Sequence, residues 1–474
     1  MDALNRIGRA GLAMAGLAMV GLLSGLSTMQ PVVGIGLIGA TVAFALAYRS
    51  SAIPLGVTSV ILFYVLVGAH LPQGGTTLLV TVWLVLAIVL ALARPDPLRA
   101  PVRLAIDGGG IALAVLGALV VVGTASSLSP QYAGVKTQLF LVEGLVPFAA
   151  GLVVALGRRS LLLLFRIYAV GGVLTSLYGV WLLLAGGAVE TNQNRFTIGQ
   201  QVNPIGFARS MAETLIILIV LLVDARTTRT RVLLALAAIP VVIAMLGAGS
   251  RGPTIGLVAA FAALVAVRHG SGPAFRRLVA SLLAIVALGA VAVALVVPAQ
   301  TAGRALSIFT GKDESGDSAT RFQLWGQAID YLPGNPWRFV TGIGTGSFAA
   351  LSPDEDYPHN MVLEVLLEQG LAGFLALMIF LVVALRKSWR LGRLPDDDGT
   401  IGSLVFALVV FAVVAAMFSG DIGANGAVFL WSGVAAGLVA RVRASRGAES
   451  SGEPATVRPA VGPGPISRGL ADGR

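Results

Sequence analysis

The sequence predicts an all-α protein: a polytopic transmembrane bundle of about 12–14 helices, with one long extracytoplasmic loop that contains short helices. Hydrophobic residues make up 56% of the 474 residues and charged residues only 12%. A soluble domain carries about 25% charged residues. Apolar runs of about 17 residues or more recur along the whole chain, and they do not alternate in polarity as the strands of a membrane barrel would.

The predicted topology follows from where the arginines lie. Arginines follow every second apolar run; for example, Arg158 and Arg159 follow the sixth, and the opposite short loops hold only three basic residues, Lys136, Arg195 and Arg251. The positive-inside rule then places both termini in the cytoplasm. The net charge of +10 is therefore a topology signal rather than a nucleic-acid surface. The candidate spans are roughly 11–27, 31–48, 52–69, 76–93, 108–126, 138–157, 161–185, 205–223, 232–248, 253–267, 278–297, 369–385, 401–418 and 426–440.

Four regions follow from this pattern. We predict a transmembrane bundle of about 11 spans, an extracytoplasmic loop, a segment with an interfacial histidine helix and the last three spans, and a disordered cytoplasmic tail. Their bounds are 1–297, 298–358, 359–443 and 444–474. The chain has no cysteine, which excludes disulfides, thiolate metal sites and cysteine nucleophiles.

Candidate functional residues collect on the predicted outer side. They lie in outer loops or at outer span ends, where charges are costly and tend to mark a site: His359, Asn360, Arg195, Arg251, Arg321 and Trp325. Clustered guanidinium groups favour a phosphate ligand, which they bind in pairs of hydrogen bonds. A neutral histidine can accept a proton from a hydroxyl. Each also has a structural interpretation: the histidine can bond headgroups, and Arg321 can stack on Trp325.

The stretch that begins at His359 predicts a helix with two different faces. His359, Gly370 and Gly373 fall near one line of that helix, whereas Glu364 and Glu368 point to the opposite face. We expect the glycines to let a neighbouring helix approach closely below the histidine. We expect the two glutamates to lie at the interface or within protein, because lipid is too apolar for them.

The same stretch resembles a known family. His359-Asn360, nine residues, then Gly370-Leu371-Ala372-Gly373 is similar to the histidine motif of the O-antigen ligase family. Three further segments resemble that family in the expected order, although Asn203-Pro204 reverses its Pro-Asn pair. These are "NRFTIGQQVNPIGFA" (194–208), "GAGSRGPTIGL" (247–257) and "ATRFQLWGQAIDYL" followed by "GIGTGSF". The similarity covers roughly 190–385.

The resemblance implies a membrane glycosyltransferase that works at the outer face of the cytoplasmic membrane. Its donor would be a glycan on a polyprenyl diphosphate, and its acceptor a sugar hydroxyl of a glycolipid or another glycan. His359 would be the general base, and Arg251, Arg195, Arg321, Asn360 and Trp325 would bind the diphosphate or glycan. No cofactor or metal is implied, although Asp354, Glu355 and Asp356 form an acidic run. The oligomeric state stays open.

Two alternatives remain at this point. A polymerase of the same family would use the same donor with a different acceptor. A flippase of lipid-linked oligosaccharides commonly has about 14 spans as well, but it would place charges along a cavity between the leaflets.

Overall fold

The computed structural model describes residues 107–185, 189–191, 195–198, 202–268, 272–297, 301, 303, 317–331, 336–352 and 355–450. The first four predicted spans, roughly 11–27, 31–48, 52–69 and 76–93, lie outside these residues.

Helices dominate the described residues. In chain order they include α1 (Gly108–Thr124), α2 (Pro130–Leu156), α3 (Arg158–Leu184), α4 (Pro204–Asp224), α5 (Thr228–Gly247), α6 (Arg251–Val267), α7 (Pro273–Val296), α8 (Asp317–Tyr331), α9 (Pro336–Thr341), α10 (Met361–Gly392), α11 (Asp397–Ala416) and α12 (Gly426–Ser450). A short hairpin pairs β1 (Val189–Thr191) with β2 (Arg195–Thr197) antiparallel. One π-helical turn interrupts α2 at Phe140–Leu145.

The predicted all-α membrane fold is confirmed. Eight of the described helices are long and apolar enough to cross a membrane, and α1 and α6 are apolar but shorter. Each predicted span from 108–126 onward coincides with one of these ten. The helix α12 continues to Ser450, past residue 444, where the sequence predicts a disordered tail to begin. Residues 451–474 lie outside the described part of the chain.

The helix starts are readable from their caps. Asp107, Thr227 and Asp396 precede α1, α5 and α11, and each side-chain oxygen accepts a hydrogen bond from a backbone N–H of the first turn. Asn203 does the same before α4, where Pro204 supplies a first residue that needs no hydrogen-bond partner. These caps fix where each helix enters the bundle.

The helices α4, α11 and α12 form the centre of the bundle, and α7 is the least buried of the membrane helices. Small residues allow the closest packing. On α12, Gly433 and Gly437 sit against the carbonyl oxygens of Phe148 and Leu152 on α2, where a Cβ would overlap the backbone. Trp431, two residues before Gly433, is fully buried.

The outer ring of the bundle is apolar where it faces away from the protein. On α3, Val170, Leu174, Leu177 and Trp181 repeat every three or four residues and are all exposed. A contiguous apolar stripe of this kind requires a covering, and in a bundle of membrane-spanning helices that covering is lipid or a further membrane helix.

The helix α10 differs from the sequence-based expectation at Gly370. Gly370 is not part of a regular helix: its φ of 67° and ψ of −165° break α10. The group that approaches it is the C-terminal end of the short helix α9: the backbone of Val340–Gly342 occupies the place of a Cβ at Gly370. The expected close approach of a neighbouring helix therefore exists at Gly370.

Candidate functional site

His359 occupies a left-handed turn immediately before α10. Its φ of 56° is positive, which is the only case among the described non-glycine residues. This conformation costs a non-glycine residue of the order of 1–3 kcal/mol and concentrates at functional sites. The next residue, Asn360, caps α10: its Oδ1 accepts hydrogen bonds from the N–H groups of Val362 and Leu363, each at 3.1 Å. The turn and the cap together fix where the imidazole ring points.

The imidazole is mostly enclosed. The His359 side chain is 15% exposed, and its Nε2 lies 3.4 Å from Oε2 of Glu355. The ring of Tyr357 meets it edge-on, with 4.6 Å between the ring centroids. The other ring nitrogen, Nδ1, is buried and has no hydrogen-bond partner among the described residues. One nitrogen therefore faces a carboxylate, while the second is enclosed without a hydrogen-bond partner among the described residues.

The surroundings keep this histidine neutral near pH 7. Burial of the ring lowers the pKa of His359 below its usual range; Glu355 opposes the shift, and the positive charges of Arg321 and Arg195 reinforce it. Tyr357 behaves differently, because burial and nearby carboxylates, Asp421 first among them, raise its pKa to about 12. Of the two rings, His359 is thus the one that can accept a proton at neutral pH.

The predicted arginines do not all have the same position. Arg321 on α8 and Arg195 on β2 act electrostatically on His359. Arg251 is the first residue of α6 and is buried, 6% exposed. Its neighbour Gly252 packs on the side chain of Phe418. The structure therefore brings two of the three arginines to the histidine and places the third at a helix start beside Phe418.

Trp325 connects α8 to the histidine turn. Its Nε1–H donates a hydrogen bond to the carbonyl oxygen of Pro358 at 2.8 Å. Its ring packs on Phe322 and, at 6.5 Å between centroids, on Phe418. Phe418 thus touches both Trp325 and the start of α6, which joins the surroundings of Arg251 to the histidine turn. The polar groups of Trp325 and Asn360 are engaged with backbone, so both hold the turn in place.

A charged cluster that the sequence reasoning missed lies behind the histidine turn. Lys136 on α2 places its Nζ 2.6 Å from Oε1 of Glu364 and 2.8 Å from both carboxylate oxygens of Glu368. The ion-pairing side chains are 0% exposed. We call these three residues the lysine cluster. The signal was present: a lone lysine in one apolar segment and two glutamates in another are both costly unless they meet.

The lysine cluster also holds the turn between α11 and α12. Oε1 of Glu364 accepts a hydrogen bond from the N–H of Ile422 at 3.2 Å. The preceding residue, Asp421, accepts hydrogen bonds from the hydroxyl of Tyr132 at 3.0 Å and from the N–H of Ala424 at 2.7 Å. Asp421 therefore stabilises a turn, which is the role that its glycine-rich sequence, "SGDIGANG" (419–426), predicts.

Arg209 and Glu213 on α4 are also structural, and each forms hydrogen bonds with groups outside α4. Arg209 Nη2 donates to the carbonyl oxygens of Ala415 and Ser419, at 3.1 and 2.8 Å, and so satisfies the C-terminal end of α11. Glu213 accepts a hydrogen bond at 3.0 Å from the indole N–H of Trp431.

The segment "GIGTGSF" serves as a clamp on α10. Gly342, Gly344 and Gly346 all have positive φ. The N–H groups of Ile343 and Gly344 donate to the carbonyl oxygens of Leu367 and Glu368, at 3.0 and 2.9 Å, next to the break at Gly370. We call Gly342–Gly344 with Gly370 the glycine clamp. Glycine is required at both positions. A Cβ at Gly342 would overlap the backbone of Glu368 and Gly370, and a Cβ at Gly370 would overlap the backbone of Val340–Gly342.

No group of three His, Cys, Asp or Glu side chains that could hold a metal ion occurs within the described ranges. Of the acidic run 354–356, Asp354 lies outside those ranges, and Glu355 contacts His359 as described.

A family model described as O-antigen ligase matches residues 235–378. This segment, which we call the O-antigen ligase domain, is thus similar to that family. No curated protein matches the chain. The match supports the family resemblance seen in the sequence, and with it an O-antigen ligase-like membrane glycosyltransferase in general terms. A family of this kind uses a lipid-linked glycan donor and a glycan acceptor in a membrane.

The O-antigen ligase domain covers most but not all of the site. Its matched residues run from within α5 to the middle of α10 and include His359, Asn360, Arg251, Arg321 and Trp325. Arg195 and Lys136 lie outside the match and reach the domain through space. The site is thus completed by elements that precede the domain in the chain.

Proposed function

We propose that this protein transfers a glycan from a polyprenyl diphosphate to a sugar hydroxyl, with His359 as the general base. The observation that supports this most directly is a mostly buried histidine that is neutral at pH 7 and has two arginines within electrostatic reach. A base that removes a hydroxyl proton needs to be neutral, and a diphosphate needs positive charge beside it.

In the proposed step, the acceptor hydroxyl attacks the anomeric carbon of the donor glycan while His359 takes the hydroxyl proton. The bond between that carbon and the diphosphate oxygen breaks, and its electron pair stays on the diphosphate. Arg195 and Arg321 stabilise the charge that develops on this leaving group. Arg251, at the buried start of α6, is the third arginine that we propose to bind the diphosphate. Trp325 and Asn360 contribute by holding the histidine turn.

We further propose that the reaction takes place on the extracytoplasmic side of the cytoplasmic membrane, with both termini in the cytoplasm. The arginine distribution along the chain supports this orientation. The hairpin, the start of α4, the start of α6 and the histidine turn all belong to the arginine-poor side, so one orientation accounts for the whole site.

The test uses purified protein in proteoliposomes that contain a polyprenyl-diphosphate-linked oligosaccharide and candidate acceptors. Release of free polyprenyl diphosphate should require both an acceptor and His359. His359→Ala should abolish the release, while the control His70→Ala, at a histidine to which no role is assigned, should retain it. A growing glycan on the polyprenyl lipid would identify a polymerase. Movement of the intact donor between leaflets without any release would show a flippase and refute the proposal.

A further inference from the structure

The short helix α9 exposes apolar side chains that no described part of the protein covers. Trp337 is 80% exposed, Phe339 and Val340 are also exposed, and α9 contains no buried residue. At about 100° per residue, these three side chains fall within one half of the helix surface, and Arg338 lies on the other half. A contiguous exposed apolar face of this kind marks a surface that something else covers.

Backbone hydrogen bonds fix the level of α9 along the bundle. Immediately after α9, Ile343 donates to the carbonyl oxygen of Leu367, next to the break in α10. Two residues later, Thr345 donates from its N–H to the carbonyl oxygen of Gly123 at 3.0 Å and from its hydroxyl to that of Val120 at 2.6 Å. Both oxygens belong to the last turn of α1. The α9 helix is therefore tied to the end of one membrane helix and to the break in another.

The apolar outer surface of the bundle begins at this same level. Beyond the break, Leu375 and Ile379 on α10 are about half exposed. On α1, Val122 is exposed one turn or less from the hydrogen bonds to Thr345. On the other side of the break, α10 carries Glu364 and Glu368, which need a polar surrounding. The apolar face of α9 is thus continuous with the lipid-facing surface and lies at its edge.

We propose that α9 docks into the leaflet on the His359 side of the bundle, with Trp337, Phe339 and Val340 at the boundary between headgroups and acyl chains. Tryptophan is enriched at that boundary because its ring is apolar and its N–H is polar. Arg338, on the opposite half of the helix, is directed toward the protein, where its Nη1 donates to the carbonyl oxygen of Gly342 at 3.5 Å. The glycine clamp then transmits this anchor to α10 and fixes how far the histidine turn stands from the membrane. From Gly370 back to Met361 the helix rises by roughly 14 Å.

The absence of cysteine from the sequence makes the depth of α9 measurable. Three full-length variants are prepared, each with one cysteine that carries a nitroxide label: Trp337→Cys, Asp356→Cys and Leu375→Cys. Asp356 is exposed beside the histidine turn and serves as the water reference; Leu375 serves as the lipid reference. The proteins are reconstituted in vesicles of phosphatidylethanolamine and phosphatidylglycerol. Power-saturation EPR then compares collision of each label with oxygen, which partitions into lipid, and with a water-soluble nickel chelate.

The expected result is an oxygen-to-nickel ratio at position 337 that lies between those of the two references. A ratio equal to that at position 356 would place α9 in water and overturn the proposal. Low accessibility to both reagents would also overturn it, because it would show that protein, such as a second copy of the chain, covers α9. Thermal unfolding of each labelled protein shows that it is folded. The measurement needs no catalysis, so it is independent of the proposed transfer reaction.

Discussion

Two groups of polar side chains lie at the start of α10, the lysine cluster and the His359 site, and they are built in opposite ways. The lysine cluster is fully buried, and its lysine is paired at 2.6–2.8 Å with two carboxylates. The His359 site is partly open, has a ring nitrogen without a partner among the described residues, and faces positive charges that disfavour its own protonation. The paired charges of the lysine cluster hold the helix, whereas the His359 ring stands ready to act on a substrate. This contrast predicts different consequences when each group is removed.

The largest effect should come from His359→Ala. Loss of a general base lowers a rate by about 10²- to 10⁴-fold, so transfer in proteoliposomes should fall by that factor. The temperature of thermal unfolding should change less than after removal of Lys136, since loss of the ring leaves only the partly exposed Glu355 without its contact and no fully buried charge unpaired. A variant that lost activity only because it unfolded would contradict the assignment.

Lys136→Met should show the reverse pattern, with the loss in stability. Removal of one member of a buried ion pair typically costs about 3–5 kcal/mol, because the partner charge is left in an apolar surrounding. Thermal unfolding of the detergent-solubilised protein measures this loss.

A matched variant separates the charge from the packing. Lys136→Met combined with Glu364→Gln and Glu368→Gln leaves no unpaired charge and should recover much of the lost stability. If the triple variant were as unstable as the single one, the cluster would act through shape rather than charge.

Gly370→Ala tests the glycine clamp that connects the two groups. The backbone there has a φ of 67° and a ψ of −165°, a region that is nearly restricted to glycine and costs other residues about 1–3 kcal/mol. The added Cβ also meets the Val340–Gly342 backbone. A decrease in unfolding temperature is expected. The control is Gly134→Ala in α2, where a Cβ meets nothing within 4 Å and alanine should be neutral or stabilising.

The smallest effect is a shift of the pH dependence. Arg321 lowers the pKa of His359 and Glu355 raises it. In Arg321→Met the pKa should therefore rise, and the acidic limb of kcat/KM should move to higher pH. In Glu355→Gln it should move to lower pH. Each shift should be less than about one pH unit, since both residues are partly solvated. Shifts of the same sign in both variants would exclude His359 as the titrating base.

The sequence was sufficient for the membrane helices from α1 onward because apolar runs of the right length are a local property. The residues of the histidine motif could be recognised together because His359 and Gly370 lie close in the chain. It could not show the break in α10, since the φ of Gly370 is set by a backbone that arrives from Val340–Gly342. Glycine at this position is compatible with a helix–helix contact and with a turn, and only the tertiary contact distinguishes them.

The lysine cluster was missed for a related reason. Lys136 stands 232 residues before Glu368, and from sequence alone it lies close enough to a predicted span end to be counted as a loop residue. The position of Arg195 beside the histidine likewise depends on a hairpin of three-residue strands, too short to predict from a pattern. Contacts between residues so far apart in the sequence are determined by the assembled fold, and they leave no periodic pattern in the sequence.

The separation of Lys136 from its partners has a consequence for biosynthesis. At typical translation rates, synthesis of the intervening 232 residues takes roughly 10–50 s. During that interval α2 has been made and its ammonium group has neither glutamate available, so the group is stable only in water or among the lipid headgroups, because an unpaired charge is costly below them. We therefore expect α2 to remain shallow, or beside the insertion machinery, until α10 emerges from the ribosome. The arrival of Glu364 and Glu368 then makes full insertion of α2 favourable, and one late event closes the bundle and forms the histidine turn.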